Sequence, residues 1–164
     1  MGSGENGERE HLLADLGRAF DRTSWHGPNM RRAVRSLTPQ LAFFHPGPGR
    51  NSIYDLVLHV AYWKYVARRR LTGGKRGSFP VKGSNFFPEP KVKDARAVKA
   101  ALDLLGREHA AFLAVVRDLP DAAFAARRGR RTAAEMIAGV AAHDLYHAGQ
   151  IQLVRRLFES RRKR

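Results

Sequence analysis

The chain has 164 residues, no cysteine, and 30 Lys plus Arg against 15 Asp plus Glu, a formal charge of +15. That length suffices for one domain with its own core, and the lack of cysteine excludes disulfides, a thiolate nucleophile and thiolate metal ligands, leaving nitrogen and oxygen as donors. The basic residues gather at Arg31-Arg32, Arg68 to Arg70, Lys75-Arg76, Arg127 to Arg131 and Arg155 to Arg164, mostly expected helix ends and loops that favour cations anyway, so the charge implies nonspecific nucleic-acid attraction at low salt and argues against a dedicated nucleic-acid reader.

Residues 1–8 are polar and Gly-rich and read as a disordered start without the apolar run of a signal peptide. No stretch approaches the roughly 20 apolar residues of a membrane span, so the expectation is a cytoplasmic protein with no membrane partner. Leu12, Leu13, Leu16 and Phe20 fall on one face, which predicts a first helix from about Arg9 to Asp21. Gly27-Pro28 interrupts it, and Pro28 suits the first turn of a short helix running to about Ser36. Trp25 is expected to pack under that start, with His26 beside it facing either solvent or an internal pocket. Pro39, Pro46 and Pro48 make residues 38–50 a connecting loop, with His45 exposed.

Ser52 can cap a second long helix that runs to about Leu71 and stops at Gly73-Gly74. Leu56, His59, Trp63 and Val66 form its predicted inner stripe. An imidazole halfway along such a stripe is costly to charge unless it is paired or bound to metal. Asp55, one turn earlier, is either the carboxylate that receives the second ring nitrogen of His59 or an acid placed at a helix start by the dipole. Residues 73–92, rich in Pro, Gly and basic residues and carrying Phe79, Phe86 and Phe87, form a loop long enough to cross the fold, its phenylalanines anchoring it or closing over a pocket. A third long helix starts at Asp94 and ends near Asp118. His109 lies on its buried side and is read as satisfied by Glu108 or solvent. Residues 121–131 are a polar, basic connection.

The last long helix, Thr132 to about Phe158, opens on a capping box of Thr132 and Glu135. Met136, Val140, His143, His147, Gln150 and Val154 share one stripe. His143 and His147, four apart, hold their Cβ atoms roughly 6 Å from one another, near enough for both to ligate one ion at about 2.0–2.1 Å. With His59 they make three inward imidazoles, the ligand count of an open metal site. Asp144 projects about 100° off that face and reads as a supporting or surface residue. The run differs from the His-Glu-x-x-His of metalloproteases by Asp for Glu. A protease is rejected because the shorter acid reaches poorly and no substrate-binding strand is patterned. Residues 159–164 read as a basic tail.

Ser52-Ile53-x-Asp55-Leu56-x-x-His59-x-x-x-Trp63, followed by His143-Asp144-x-Tyr146-His147-Ala148-Gly149-Gln150-Ile151, together with Trp25-His26-Gly27-Pro28, resembles the DinB/YfiT-like family over about residues 10–158. The resemblance implies an all-α domain over 9–158. Its form would be a four-helix bundle of up-down-down-up topology with a long crossover loop between helices 2 and 3. It also implies a divalent ion, nickel or zinc, on His59, His143 and His147. The implied chemistry is hydrolysis or transfer of a low-molecular-weight thiol such as bacillithiol or mycothiol, in a homodimer. The pocket for the unidentified small-molecule substrate would be lined by Trp63, Tyr146, Gln150 and His26. With no cysteine in the chain, such a thiol would be a diffusible cosubstrate. Arg50-Asn51 stands where family members often carry histidine or tryptophan, so the pocket mouth departs from the pattern. The competing reading is a non-enzymatic basic bundle that binds nucleic acid or dimerises as an interaction module.

Overall fold

The computed structural model describes residues 3–162. In chain order it contains α1 (Ser3–Phe20), α2 (Met30–Ala33), α3 (Pro39–Ala42), α4 (Ile53–Thr72), α5 (Ala95–Asp118) and α6 (Ala133–Arg161). A 3-10 turn over Asp121–Ala123 and a small antiparallel hairpin, β1 (Arg127–Arg128) with β2 (Arg131–Thr132), lead into α6. The fold is all-α, as the periodicity implies, and no helix among the described residues is long and apolar enough to cross a membrane.

The helix starts follow side-chain capping. Ser52 accepts from the Asp55 amide while the Asp55 carboxylate accepts from the Ser52 amide, and Thr132 and Glu135 do the same for α6. Asp94 caps α5. Each such cap contributes about 1 kcal/mol. Gly73 ends α4 at φ 70°, a left-handed conformation that glycine adopts without a side-chain clash.

Several boundaries differ from the sequence reading. Helix α1 begins at Ser3, ahead of Arg9, and α6 runs on to Arg161 into the expected tail. Met1 and Gly2, the head of the expected disordered start, lie outside the described residues. Asn29, with Pro28 just outside, caps α2. Pro39 does not break the chain but opens a one-turn helix capped by Thr38, because proline at a first turn loses only an amide that has no partner there. Trp25 is fully exposed instead of packing under α2. Met30 and Ala33, both wholly buried, already fill that ground.

Helix α4 packs against both α5 and α6, which is why it buries far more than a four-residue stripe: Ile53, Leu56, Val57, Leu58, Val60, Ala61, Tyr65 and Val66 are all inside. Each fully buried aliphatic side chain of this size stabilises the fold by about 1.5–3 kcal/mol. One core cluster joins Phe20 and Leu41 with the first half of α4, with Ala101 to Leu105 of α5, and with Ala148, Ile151 and Val154 of α6. A second joins Leu12 and Leu16 with Ala67 and Leu71, Phe112 and Val116, and Ala133 to Ala141.

The connection from α4 to α5 is fastened to α4. The Tyr65 hydroxyl accepts from the amides of Gly77 and Ser78 at 3.1 and 3.3 Å. Tyr62, Phe79 and Phe87 form a mutual aromatic cluster with centroids 5.3 to 5.4 Å apart. This brings Asn85 and Phe86 over the middle of α4, where His59 emerges.

Candidate metal centre

Helix α4 supplies His59, and α6 supplies His143 and His147 one turn apart. Their Nε2 atoms converge: His143 Nε2 is 3.1 Å from that of His59 and 3.1 Å from that of His147. The three offer one nitrogen each within 4.8 Å of one another. Two nitrogens that ligate one ion at about 2.0–2.1 Å in tetrahedral fashion stand about 3.3 Å apart, so the observed spacing fits a shared cation with little adjustment.

The remaining ring nitrogens fix the proton positions. His59 Nδ1 lies 3.1 Å from the carbonyl oxygen of Asn85, which can only accept, so Nδ1 carries the proton and Nε2 an outward lone pair. His147 Nδ1 lies 2.7 Å from Gln150 Oε1. With Gln150 placed so that its Nε2 donates to the Tyr146 hydroxyl at 3.1 Å, its Oε1 accepts from His147 Nδ1, and His147 is then the same tautomer. His143 Nε2 therefore faces two lone pairs and can offer at most one proton. One nitrogen pair is left with lone pair against lone pair, an arrangement that a cation relieves.

The electrostatics keep the imidazoles neutral, the state a ligand needs. Burial pushes the His143 pKa down to about 3, reinforced by His147, His59 and Lys64. Burial likewise lowers His147 to about 4, the neighbouring His59 adding to it. His59 is lowered by burial, against the opposing bond from its ring to the Asn85 carbonyl. Phe86 stacks on His59 at 4.5 Å between centroids, screening that ring from water.

The other residues singled out in the sequence are distributed unevenly. Trp63 stands beside the centre, 6.3 Å from His59 and 6.4 Å from His143 between ring centroids, its Nε1 donating to Asn85 Oδ1 at 2.9 Å. Tyr146 and Gln150 reach it through His147. Asp55 does not touch His59: its carboxylate is occupied by Ser52 in the capping box, and the backbone of Asn85 takes the place foreseen for it. His26 is exposed near Ser24, on a separate groove with Pro28, Leu145 and Gly149. Asp144 is wholly buried rather than on the surface, and Lys64 Nζ donates to its Oδ2 at 2.5 Å. Burial drives both groups toward neutrality while their mutual attraction opposes it. The buried face of α6 is wider than the predicted stripe: Val140, His147 and Val154 of that stripe are inside, together with Ile137, Ala141, Asp144, Ala148 and Ile151, while Met136, His143 and Gln150 lie half-buried at its border.

His109 stays apart from the centre. It is buried against Phe20, the rings 3.6 Å apart and nearly parallel, with no partner for either nitrogen among the described residues. Glu108, the partner foreseen for it, pairs with Arg68 at 3.1 Å.

A second group, His45, Asp55 and Glu89, also brings ligand-type atoms together. Its contacts are ordinary donor to acceptor pairs: His45 Nε2 with Glu89 Oε1 at 2.9 Å, Lys93 with the other Glu89 oxygen, and Ser52 with Asp55. The bond to the Arg50 carbonyl and the Glu89 carboxylate raise the His45 pKa against a smaller opposing effect of burial, so this cluster is satisfied by its own protons. Asn85, which bonds His59, and Lys64, whose charge lowers the His143 pKa, are the neighbours of the centre that the sequence did not reveal. The position of Asn85, preceding two phenylalanines in a long loop, was the only signal for either of them.

No curated protein and no solved structure matches the chain. A family model does, over residues 22–151, a span that contains all three histidines and their partners Asn85 and Gln150. The chain belongs to the DinB superfamily.

Proposed function

We propose that this protein is a metal-dependent enzyme acting on a small molecule, with one divalent ion, zinc or nickel, held by His59, His143 and His147. The observation that carries the reading is the convergence of three Nε2 atoms, with the lone pair of His59 set by the Asn85 carbonyl and that of His147 matched by the Gln150 side chain. The donor set suits an intermediate cation with nitrogen preference, and three protein ligands leave a coordination position open. When bound, such an ion supplies Lewis acidity and makes a water or thiol nucleophilic near neutral pH. Hydrolysis and transfer of a diffusible thiol are the two reactions this allows. The chain's own part is to hold the three rings as neutral tautomers, with Phe86 and Trp63 excluding water from one side.

The scaffold for this site is inferred to be a four-helix bundle of α1, α4, α5 and α6 in up-down-down-up order. Support comes from the way the helix ends sort between the two core clusters. The first halves of α4 and α5 share a cluster with the second half of α6 and with Phe20 at the end of α1, while the second halves of α4 and α5 share the other with the first half of α6 and with Leu12, Leu16 and Ala19 further back along α1. A pairing of this kind makes the α4 to α5 connection run the length of the bundle, over the histidines.

Cobalt titration of the metal-free protein tests the proposal. One equivalent should produce the intense visible bands of low-coordinate cobalt, and His143→Ala should abolish them. Weak octahedral bands that survive the substitution would favour the non-enzymatic reading.

A further inference from the structure

Beside His143 the protein has a cavity of about 260 Å³ between α4 and α6, walled by Trp63, Val66, Met136 and Val140 and edged by Arg70 and Arg131. Its size lies just under the ~300–1,000 Å³ of sites for drug-sized ligands, so its occupant is small. The walls are apolar and aromatic on the side nearest the histidines. The two arginines set the electrostatics at the rim.

Neither arginine is held in a close ion pair among the described residues, whereas Arg68, on the same helix as Arg70, pairs with Glu108. Glu135 also lines the cavity; its carboxylate accepts from the Thr132 amide at 2.7 Å, and that bond first, with a smaller attraction from Arg127 and Arg131, holds its pKa down. Arg70, Trp63 and Val66 also border a second, larger cavity under the α4 to α5 connection, whose lining includes Arg69, Arg76 and Lys82 and no acidic residue. Two arginines against the one carboxylate of Glu135 leave a net positive charge where the chain has a hollow next to a candidate metal ligand. Guanidinium groups suit this because their planar fork meets carboxylate or phosphate with two parallel bonds.

We propose that this cavity is the substrate site and that its substrate is a small organic anion. An aromatic or aliphatic body rests on Trp63, Val66 and Met136, and a carboxylate or phosphate group is held by Arg70 and Arg131, which turns the reactive part toward His143. The assignment as substrate site rests on the metal-dependent reading above. The binding of an anion in the cavity does not.

The test uses the full chain without a tag, zinc-loaded, in a Trp25→Phe background. Trp63 is then the only tryptophan and reports on the cavity wall by fluorescence. Phenylpropionate, phenyl phosphate and the neutral 3-phenylpropanol are titrated at constant ionic strength, with metal content measured on the same samples. The expected result is saturable quenching by one or both anions, at least tenfold weaker in Arg70→Gln or Arg131→Gln, with zinc content unchanged. The tighter of the two anions identifies the headgroup. Arg96→Gln, an exposed change on α5 with the same loss of charge, should bind as the parent does. Equal binding of the alcohol, equal weakening by Arg96→Gln, or no saturation would overturn the proposal. Saturable, arginine-dependent binding in protein that retains no zinc would uphold the anion cavity while contradicting the metal-dependent function.

Discussion

The Nδ1 atom of His59 stands 3.1 Å from the carbonyl oxygen of Asn85, a residue 26 positions along the chain. Asn85 holds that carbonyl in place from a left-handed backbone conformation, φ 63°, which glycine adopts freely, asparagine tolerates and a β-branched residue resists. Asn85→Gly should therefore keep metal affinity within a few-fold, although it loses the side-chain bond to Trp63. Asn85→Val should lower it by about 10- to 100-fold, the usual effect of removing a ligand's hydrogen-bond partner. Competition with a chromophoric chelator measures both. Equal affinity in the two variants would show that the carbonyl does not orient His59.

Lys64 and Asp144 form an ion pair with side chains 1% and 0% exposed. Removing one partner strands a charge in the core, so Asp144→Ala should cost about 3–5 kcal/mol. The double variant Lys64→Met with Asp144→Leu should recover most of that loss, since a buried pair is often replaceable by apolar side chains of similar volume. Urea unfolding of the three proteins decides it. A double variant as unstable as the single one would mean that the pair supplies net stability of its own.

His109 makes stability depend on acid. Burial, then the charges of Lys64 and Arg117, lower its pKa to about 3 in the folded protein, whereas an unfolded histidine titrates near 6.5. Between those values the unfolded chain binds a proton that the folded one refuses. Stability is therefore greatest above about pH 6.5 and falls with decreasing pH, by up to about 1.4 kcal/mol per unit for this group. His109→Phe should flatten the decline between pH 6 and 4 relative to the parent, both measured with chelator present so that the other histidines contribute alike. It should leave metal content unchanged. A decline as steep as the parent's would remove His109 from the account.

Tyr65 ties the α4 to α5 connection down by accepting from two backbone amides with one hydroxyl. Tyr65→Phe leaves those amides without that partner and should raise hydrogen exchange at Gly77 and Ser78 by about 5- to 150-fold, the equivalent of the ~1–3 kcal/mol that an unsatisfied group costs. Unchanged exchange would place the anchoring in the Tyr62, Phe79 and Phe87 cluster alone.

The histidine convergence was legible because it rests on local rules. A four-residue separation on α6 puts His143 and His147 on one side, and a Ser52 cap with a Gly73 stop frames His59. Lys64 and Asp144 were not legible. In the sequence each looks like a solvated charge beside a more conspicuous neighbour, Trp63 or His143, and only the packing of α4 on α6 shows that they neutralise one another in the core. Asp55 shows the converse: the spacing that suggested a bond to His59 is also the spacing of a capping box, and the nearer backbone amide won. Trp25 misled and His26 stayed open between solvent and pocket because their side chains lie in a connection whose path no periodicity encodes.

Whether three imidazoles share one cation is read from elemental analysis of protein expressed without a histidine tag. One equivalent of zinc or nickel per chain in the parent, falling below a tenth in both His59→Ala and His143→Ala while the fold is retained, is the predicted result. Parent protein with no stoichiometric divalent metal, or variants that keep it, would mean that the three histidines hold no common ion.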